Sequence, residues 1–139
     1  MLAAVSRDGW ALQYAPEALT SDQAFMLAAV HKIGHLALHF ASPILKENRE
    51  IVLAAMEVTG MALRLASPIL RDDQEIVLAA VQKTGLALQL ASHRLINNRA
   101  IVLAAVRQDR RALAYASNEM QNDPEVLFAA TWPRERGRA

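Results

Sequence analysis

The chain contains no cysteine. That excludes a disulfide scaffold, a zinc ribbon, a thiolate-held iron–sulfur centre and a thiol nucleophile. Glycine and proline are scarce, five of each in 139 residues, and aromatic residues make up only 5%. Set beside 53% hydrophobic residues, that scarcity argues against a disordered chain. An excess of one charge sign is missing too. The formal net charge is +1, which removes the main electrostatic argument for nucleic acid or an anionic membrane as partner. Unbroken apolar runs are short, as in Ile51 to Met56, so no segment is expected to span a bilayer. Met1 to Asp8 shows no basic region followed by an apolar stretch, so no signal peptide is expected. The compartment stays open.

What is present is a repeat. Leu-Ala-Ala begins at Leu2, Leu27, Leu53, Leu78 and Leu103, and Phe128-Ala129-Ala130 is a sixth copy, at intervals of 25, 26, 25, 25 and 25. A second marker falls at Ala15-Pro16, Ala41-Ser42, Ala66-Ser67, Ala91-Ser92 and Ala116-Ser117. A fixed period in this range signals stacked supersecondary units. The expected boundaries are 1–21, 22–47, 48–72, 73–97 and 98–122, then a capping half unit at 123–132 and a basic tail at 133–139.

The copy starting at Asp73 shows the logic. Asp73 is the expected N-cap, with Glu75 in the first turn; Asp22, Asn48, Asn98 and Asp123 stand at the same place. Ile76 to Val81 is apolar all round, as befits a helix with neighbours on both flanks. Gly85 follows, and Gly9, Gly34 and Gly60 are its counterparts, all expected in left-handed backbone. Leu86 to Ala91 then reads as a short second helix whose polar slot, Gln89, faces solvent. Gln13, His39, Arg64 and Ala114 fill that slot elsewhere. Ser42-Pro43 and Ser67-Pro68 read as caps of a further turn, ending in an apolar plug at Leu19, Leu45, Leu70, Leu95 or Met120. Period-two alternation is absent, so strands are a poor alternative. The expected fold is all-α, an α-solenoid of about five 25-residue two-helix repeats plus a terminal single helix.

The pattern [D/N]-x-E-[I/V]-V-L-A-A-V-x-x-x-G-x-A-L-x-[L/Y/F]-A-S resembles the tandem short helical repeats of domain of unknown function 4116. Ile76 to Val81, Gly85 to Ser92, Gly9 to Ala15 and Ile51 to Ser67 carry the likeness, which extends over Met1 to Ala130. The resemblance implies a helical array and no assigned activity. No catalytic residue carries over, because the motif positions serve packing, capping and turning. The chain departs from the pattern at an extra residue near His35, at Arg110 in place of the turn glycine, at Pro16 in place of Ser, and at both ends of the array.

Candidate chemistry is thin. His31, His35 and His39 are four apart, a spacing that puts metal ligands on one helix face. Gly34 is expected to interrupt that helix, so a solvated turn outweighs a metal or small-ligand site. Carboxylates such as Glu47, Glu50 and Asp72 sit at helix starts, where they cap. Ser42, Ser67, Ser92 and Ser117 recur with the fold, so they too read as caps rather than nucleophiles. The glycines are a whole unit apart and form no phosphate loop. The chain is expected to be non-catalytic and to need no cofactor. Helical repeats can read RNA through variable slots, but no basic stripe is visible, and most aromatic residues (Trp10, Tyr14, Phe25, Phe40, Tyr115, Phe128, Trp132) read as core. Arg107, Arg110 and Arg111 cluster near the C-terminal end, and Trp132, Arg134 and Arg136 form a candidate docking tail.

These readings point to a non-catalytic protein–protein interaction or scaffold module, with a place at the periphery of a larger assembly as the further expectation. Gln13, His39, Arg64, Gln89, the arginine cluster and the tail are the candidate contacts. The apolar sides of Leu2 to Val5 and Val126 to Ala130 are candidate contacts as well. The alternatives are a ligand site at the histidine-bearing second copy and RNA binding through the variable slots.

Overall fold

A computed structural model describes residues 1–131, whose regular structure is helical, with no strand among the described residues. Trp132, Arg134 and Arg136 lie outside the described residues. One row of helices comprises α1 (Leu2–Arg7), α3 (Gln23–Ile33), α5 (Arg49–Met56), α7 (Gln74–Lys83), α8 (Arg99–Gln108) and α10 (Pro124–Thr131). Each packs on the next. A second row comprises 3₁₀ helices at Gly9–Tyr14, Gly60–Leu65, Gly85–Leu90 and Arg110–Tyr115, with the α-helix α4 (His35–Phe40) in the second copy. Short turns link the rows: α2 (Glu17–Thr20), α6 (Pro68–Arg71) and α9 (Asn118–Gln121), and 3₁₀ turns at Leu45–Glu47 and Leu95–Asn97.

The first-row helices start where the caps are. The side chains of Asp22, Asn48, Asp73 and Asn98 accept the N–H three residues on, at 2.7, 3.1, 3.1 and 3.2 Å. Their apolar runs then bury completely: Met26, Ala29, Ile51, Val52, Ala55, Ile76, Val77, Ala80, Ile101, Val102 and Ala105 are inaccessible to solvent. Helices this short are marginal alone, so burial against neighbours holds them. The plugs Leu45, Leu70, Leu95 and Met120 are buried as expected; Leu19 is half-buried. Successive copies are also joined through the backbone. Ser42, Ser67, Ser92 and Ser117 donate their N–H to the carbonyls of Thr20, Lys46, Arg71 and Ile96, each at 3.0 Å.

Three expectations are corrected. The second helices are 3₁₀ in four copies, not α. Each begins after an extended residue, and Asp8, Thr59 and Asp109 there accept the N–H two residues on. In 3₁₀ geometry residues three apart eclipse, and the sequence sets small against large: Gly60 with Leu63, Ala62 with Leu65, Gly85 with Leu88, Ala87 with Leu90. Second, among the described residues only Gly34 has a positive φ, 64°. Gly60 and Gly85 are instead sites of close approach. A Cβ on Gly60 would lie 2.1 Å from the Ala80 carbonyl oxygen, and one on Gly85 would lie 2.5 Å from that of Ala105. Arg110, at the corresponding place in the fifth copy, is exposed and meets no such limit. Third, the repeated serines do not all cap. Ser92 and Ser117 accept a helix N–H, whereas the hydroxyls of Ser42 and Ser67 have no partner among the described residues.

The caps alternate. Asp22-Gln23, Asn48-Arg49, Asp73-Gln74, Asn98-Arg99 and Asp123-Pro124 follow one another along the first row. A four-residue α-turn precedes each Asp cap, and a 3₁₀ turn precedes Asn48 and Asn98. The charges explain the pairing. Asp73 spends one carboxylate oxygen on its own helix and the other on Arg49 of the copy before, which also reaches Glu75 at 2.6 Å. Asp123 does the same with Arg99, at 2.6 Å. An Asn cap has no second carboxylate oxygen and needs no counter-charge. Burial works against ionisation of Asp123, but the Val126 N–H, the Arg99 guanidinium and the Glu125 N–H outweigh it and hold the carboxyl below its ordinary value. The Ser92 hydroxyl and Arg94 hold Asp72 low in the same way.

Candidate functional site

The slots read as solvent-facing are exposed. Gln13, His39, Arg64, Gln89 and Ala114 stand in one row along the second helices, and each carries a different neighbourhood on a repeated frame. Their setting follows from local folding. The second helices bury Leu12, Leu38, Leu63 and Leu88 against the core, with Leu113 half-buried in the fifth, which turns the next residue outward.

At one end of the row the surface opens into a cleft of about 260 Å³. Leu36, Met61 and Leu65 make its apolar part; Trp10, His35, His39 and Arg64 make the rest. Trp10 packs edge-on against Phe40 at 5.6 Å and His39 at 6.4 Å between ring centroids, and His39 meets Phe40 at 5.1 Å. The indole nevertheless keeps 54% of its surface exposed. No carboxylate lines the cleft, and Arg64 makes no ion pair among the described residues.

The cleft sits where the repeat is irregular. Elsewhere Gly60 and Gly85 let a second helix lie against a first-row carbonyl. Here side chains fill that contact: a Cβ on Gly9 would meet Leu36 Cδ2 and Ile33 Cδ1, and one on Gly34 would meet Val58. The extra residue of the second copy is absorbed by the Gly34 bend and by α4, and α4 carries His35 and His39 one turn apart.

The other candidates separate. His31 is exposed in the last turn of α3 and does not line the cleft. Among the described residues, no group of three or more His, Asp or Glu is placed to hold a metal ion, so His31, His35 and His39 are not a three-ligand set. Arg107 and Arg110 are exposed, while Arg111 is held by Asp109 at 2.8 Å. Val5 and Val126 face the core and offer nothing to a partner; Leu127 and Phe128 are exposed. The aromatic residues were expected mostly inside, and this too is corrected. Trp10, Tyr14, Tyr115 and Phe128 are all exposed. Trp10 and Tyr14 belong to the first copy, where only the second copy packs on them.

Sequence reasoning also missed a sorting of charge. The first-row helices lie parallel, as their paired caps require. Their C-terminal turns carry Arg7, Lys32, Lys83 and Arg107; Arg110 and Arg111 follow α8, and Asp8, Glu57 and Asp109 stand among them. The opposite edge, with the N-termini, holds ten Asp and Glu against five Lys and Arg. Helix dipoles favour this arrangement. A net charge near zero therefore hides one basic edge and one acidic edge. No described helix is long and apolar enough to cross a membrane.

A family model described as "Domain of unknown function (DUF4116)" matches residues 1–36, 25–71 and 73–121. The third match takes in the Asp-capped α7 and the Asn-capped α8 whole, and the second takes in α5 with its Asn48 cap and most of α3, from residue 25 on. No curated protein and no solved structure matches the chain.

Proposed function

The chain belongs to the DUF4116 family, and from that premise we propose that it is a non-catalytic binding or scaffold module. In this reading the helices form an open α-solenoid of five two-helix units with the boundaries given above and a half unit at its end. The parallel first row, the serine backbone links and the neighbour-to-neighbour packing support that architecture. Solenoids use such an extended surface to hold partners. The observation that carries the functional reading is the exposed row. The frame repeats, yet its outward slots hold Gln13, His39, Arg64, Gln89 and Ala114, all of them exposed and of four different residue types. A protein partner spanning several units is what such a row suits, and the module takes a peripheral place in a larger assembly.

Gentle fractionation of source cells tests this. Co-elution with a large complex, lost when Gln89 and Arg64 are both changed to Ala, is the expected result. Elution of the native chain alone near its own mass of 15.3 kDa would overturn the scaffold reading.

A further inference from the structure

We propose that the cleft between Trp10 and Arg64 is a binding site for a small planar anion, an aromatic ring carrying a carboxylate or a phosphate. The proposal shares His39 and Arg64 with the exposed row, but its test uses small molecules alone and needs no protein partner. Its first support is charge. Arg64 reaches the cleft with no carboxylate partner among the described residues; Arg7, Arg71, Arg107 and Arg110 also lack one but are not among the cleft's lining. His35 and His39 add ring N–H donors one turn apart on the same helix, and no acidic side chain opposes them. A guanidinium in that setting suits a planar oxyanion, which it can grip through two parallel hydrogen bonds.

The second support is shape. Leu36, Met61 and Leu65 supply an apolar bed, and Trp10 a fixed aromatic wall that its neighbours hold edge-on. The volume of about 260 Å³ lies just under the usual range of about 300–1,000 Å³ for small-molecule clefts. It suits one ring with its acidic group and not a whole dinucleotide. The third support is placement. The cleft forms at the one copy with an extra residue and an α-helical second helix, so the departure from the repeat and the binding chemistry coincide.

The chain has two tryptophans, Trp10 and Trp132. In a Trp132→Phe background, emission therefore reports on Trp10 alone. Benzoate and phenyl phosphate are the probes; benzamide and inorganic phosphate are the controls. We expect a saturable change in emission with at least one aromatic anion and binding weaker by about tenfold for benzamide, the worth of one charge-assisted contact. The tighter of the two anions identifies the acidic group. Arg64→Gln should cost a similar factor. Gln already fills this slot at Gln13 and Gln89, so the variant keeps the fold, which an unchanged melting curve verifies. His39→Gln is the second variant on the same grounds. The proposal fails if neither anion saturates by about 10 mM, if benzamide binds as well as benzoate, if inorganic phosphate alone matches phenyl phosphate, or if both Gln variants bind like the parent.

Discussion

Replacing Gly60 by Ala ordinarily looks favourable: it removes freedom from the unfolded chain and gains about 0.4–1 kcal/mol. Here the opposite is expected. The new methyl carbon would stand 2.1 Å from the Ala80 carbonyl oxygen, 3.0 Å from its carbon and 3.0 Å from Thr84 Cβ. A carbon approaches a carbonyl oxygen to only about 3.3 Å, so one of the two helices must move by roughly 1 Å. The carbonyl is not free to turn, because it accepts the Thr84 N–H at 2.8 Å. The hydrogen bond from the Gly60 N–H to the Thr84 hydroxyl, 2.9 Å, is disturbed as well. Overpacking costs about 1–3 kcal/mol and a lost hydrogen bond about 1 kcal/mol. Set against the gain, the net loss is about 1–3.5 kcal/mol. At about 2–4 °C per kcal/mol for chains near this size, the melting temperature should fall by roughly 2–14 °C in a circular dichroism melt. Gly9→Ala is the control. Its methyl would meet only the ends of Leu36 and Ile33, which can swing aside, so a far smaller change is expected. If Gly60→Ala melts no lower than Gly9→Ala, the close approach of the two rows is not what the glycine serves.

The remaining expectations use the same assay. Leu88→Ala removes a fully buried side chain at the centre of the second row and should cost about 2–5 kcal/mol, while Ile69→Ala, at an exposed site, should stay within about 0.5 kcal/mol. Arg99→Ala should lower the melting temperature more than Arg49→Ala, because Asp123 is only 8% exposed and Asp73 is 30% exposed; the reverse order would contradict the role given to the buried cap. Asp72 and Asp123 have carboxyls held below the ordinary value of 3.8. Their contribution is complete above that value and is lost as pH falls through the lower folded-state value. Asp72→Asn with Asp123→Asn should therefore flatten the fall in stability below about pH 4, and an unchanged acid limb would refute the assignment.

Much of the framework was legible in the residues themselves. A buried helix advertises itself through runs such as Ile76 to Val81, and its start through a side chain that can accept an N–H, as at Asn48 and Asp73. Solvent-facing slots were legible because Gln13, Arg64 and Gln89 recur amid apolar neighbours. The misreadings share a cause: one residue type serves two physical ends. Glycine marks both left-handed backbone and close approach, and only the position of the Ala80 carbonyl separates Gly34 from Gly60. The 3₁₀ and α forms of the second helix differ by one step in hydrogen-bond register, which six residues do not reveal. Trp10 and Tyr14 occupy slots that are half-buried in the inner copies, and their exposure depends on which copies flank them. The cleft is built from three copies at once, so no single stretch of sequence contains it.

The alternation of Asp and Asn caps sets a parity on the array. Excising copies 48–97 as a pair would bring Asp22-Gln23 before Asn98-Arg99, the same succession that the intact chain already has. Removing the single copy 73–97 would set Arg49 against Asn98, leaving a guanidinium facing an amide, and would strand two turns of the same kind side by side. A change by one copy therefore breaks an arginine–cap pairing that a change by two would keep.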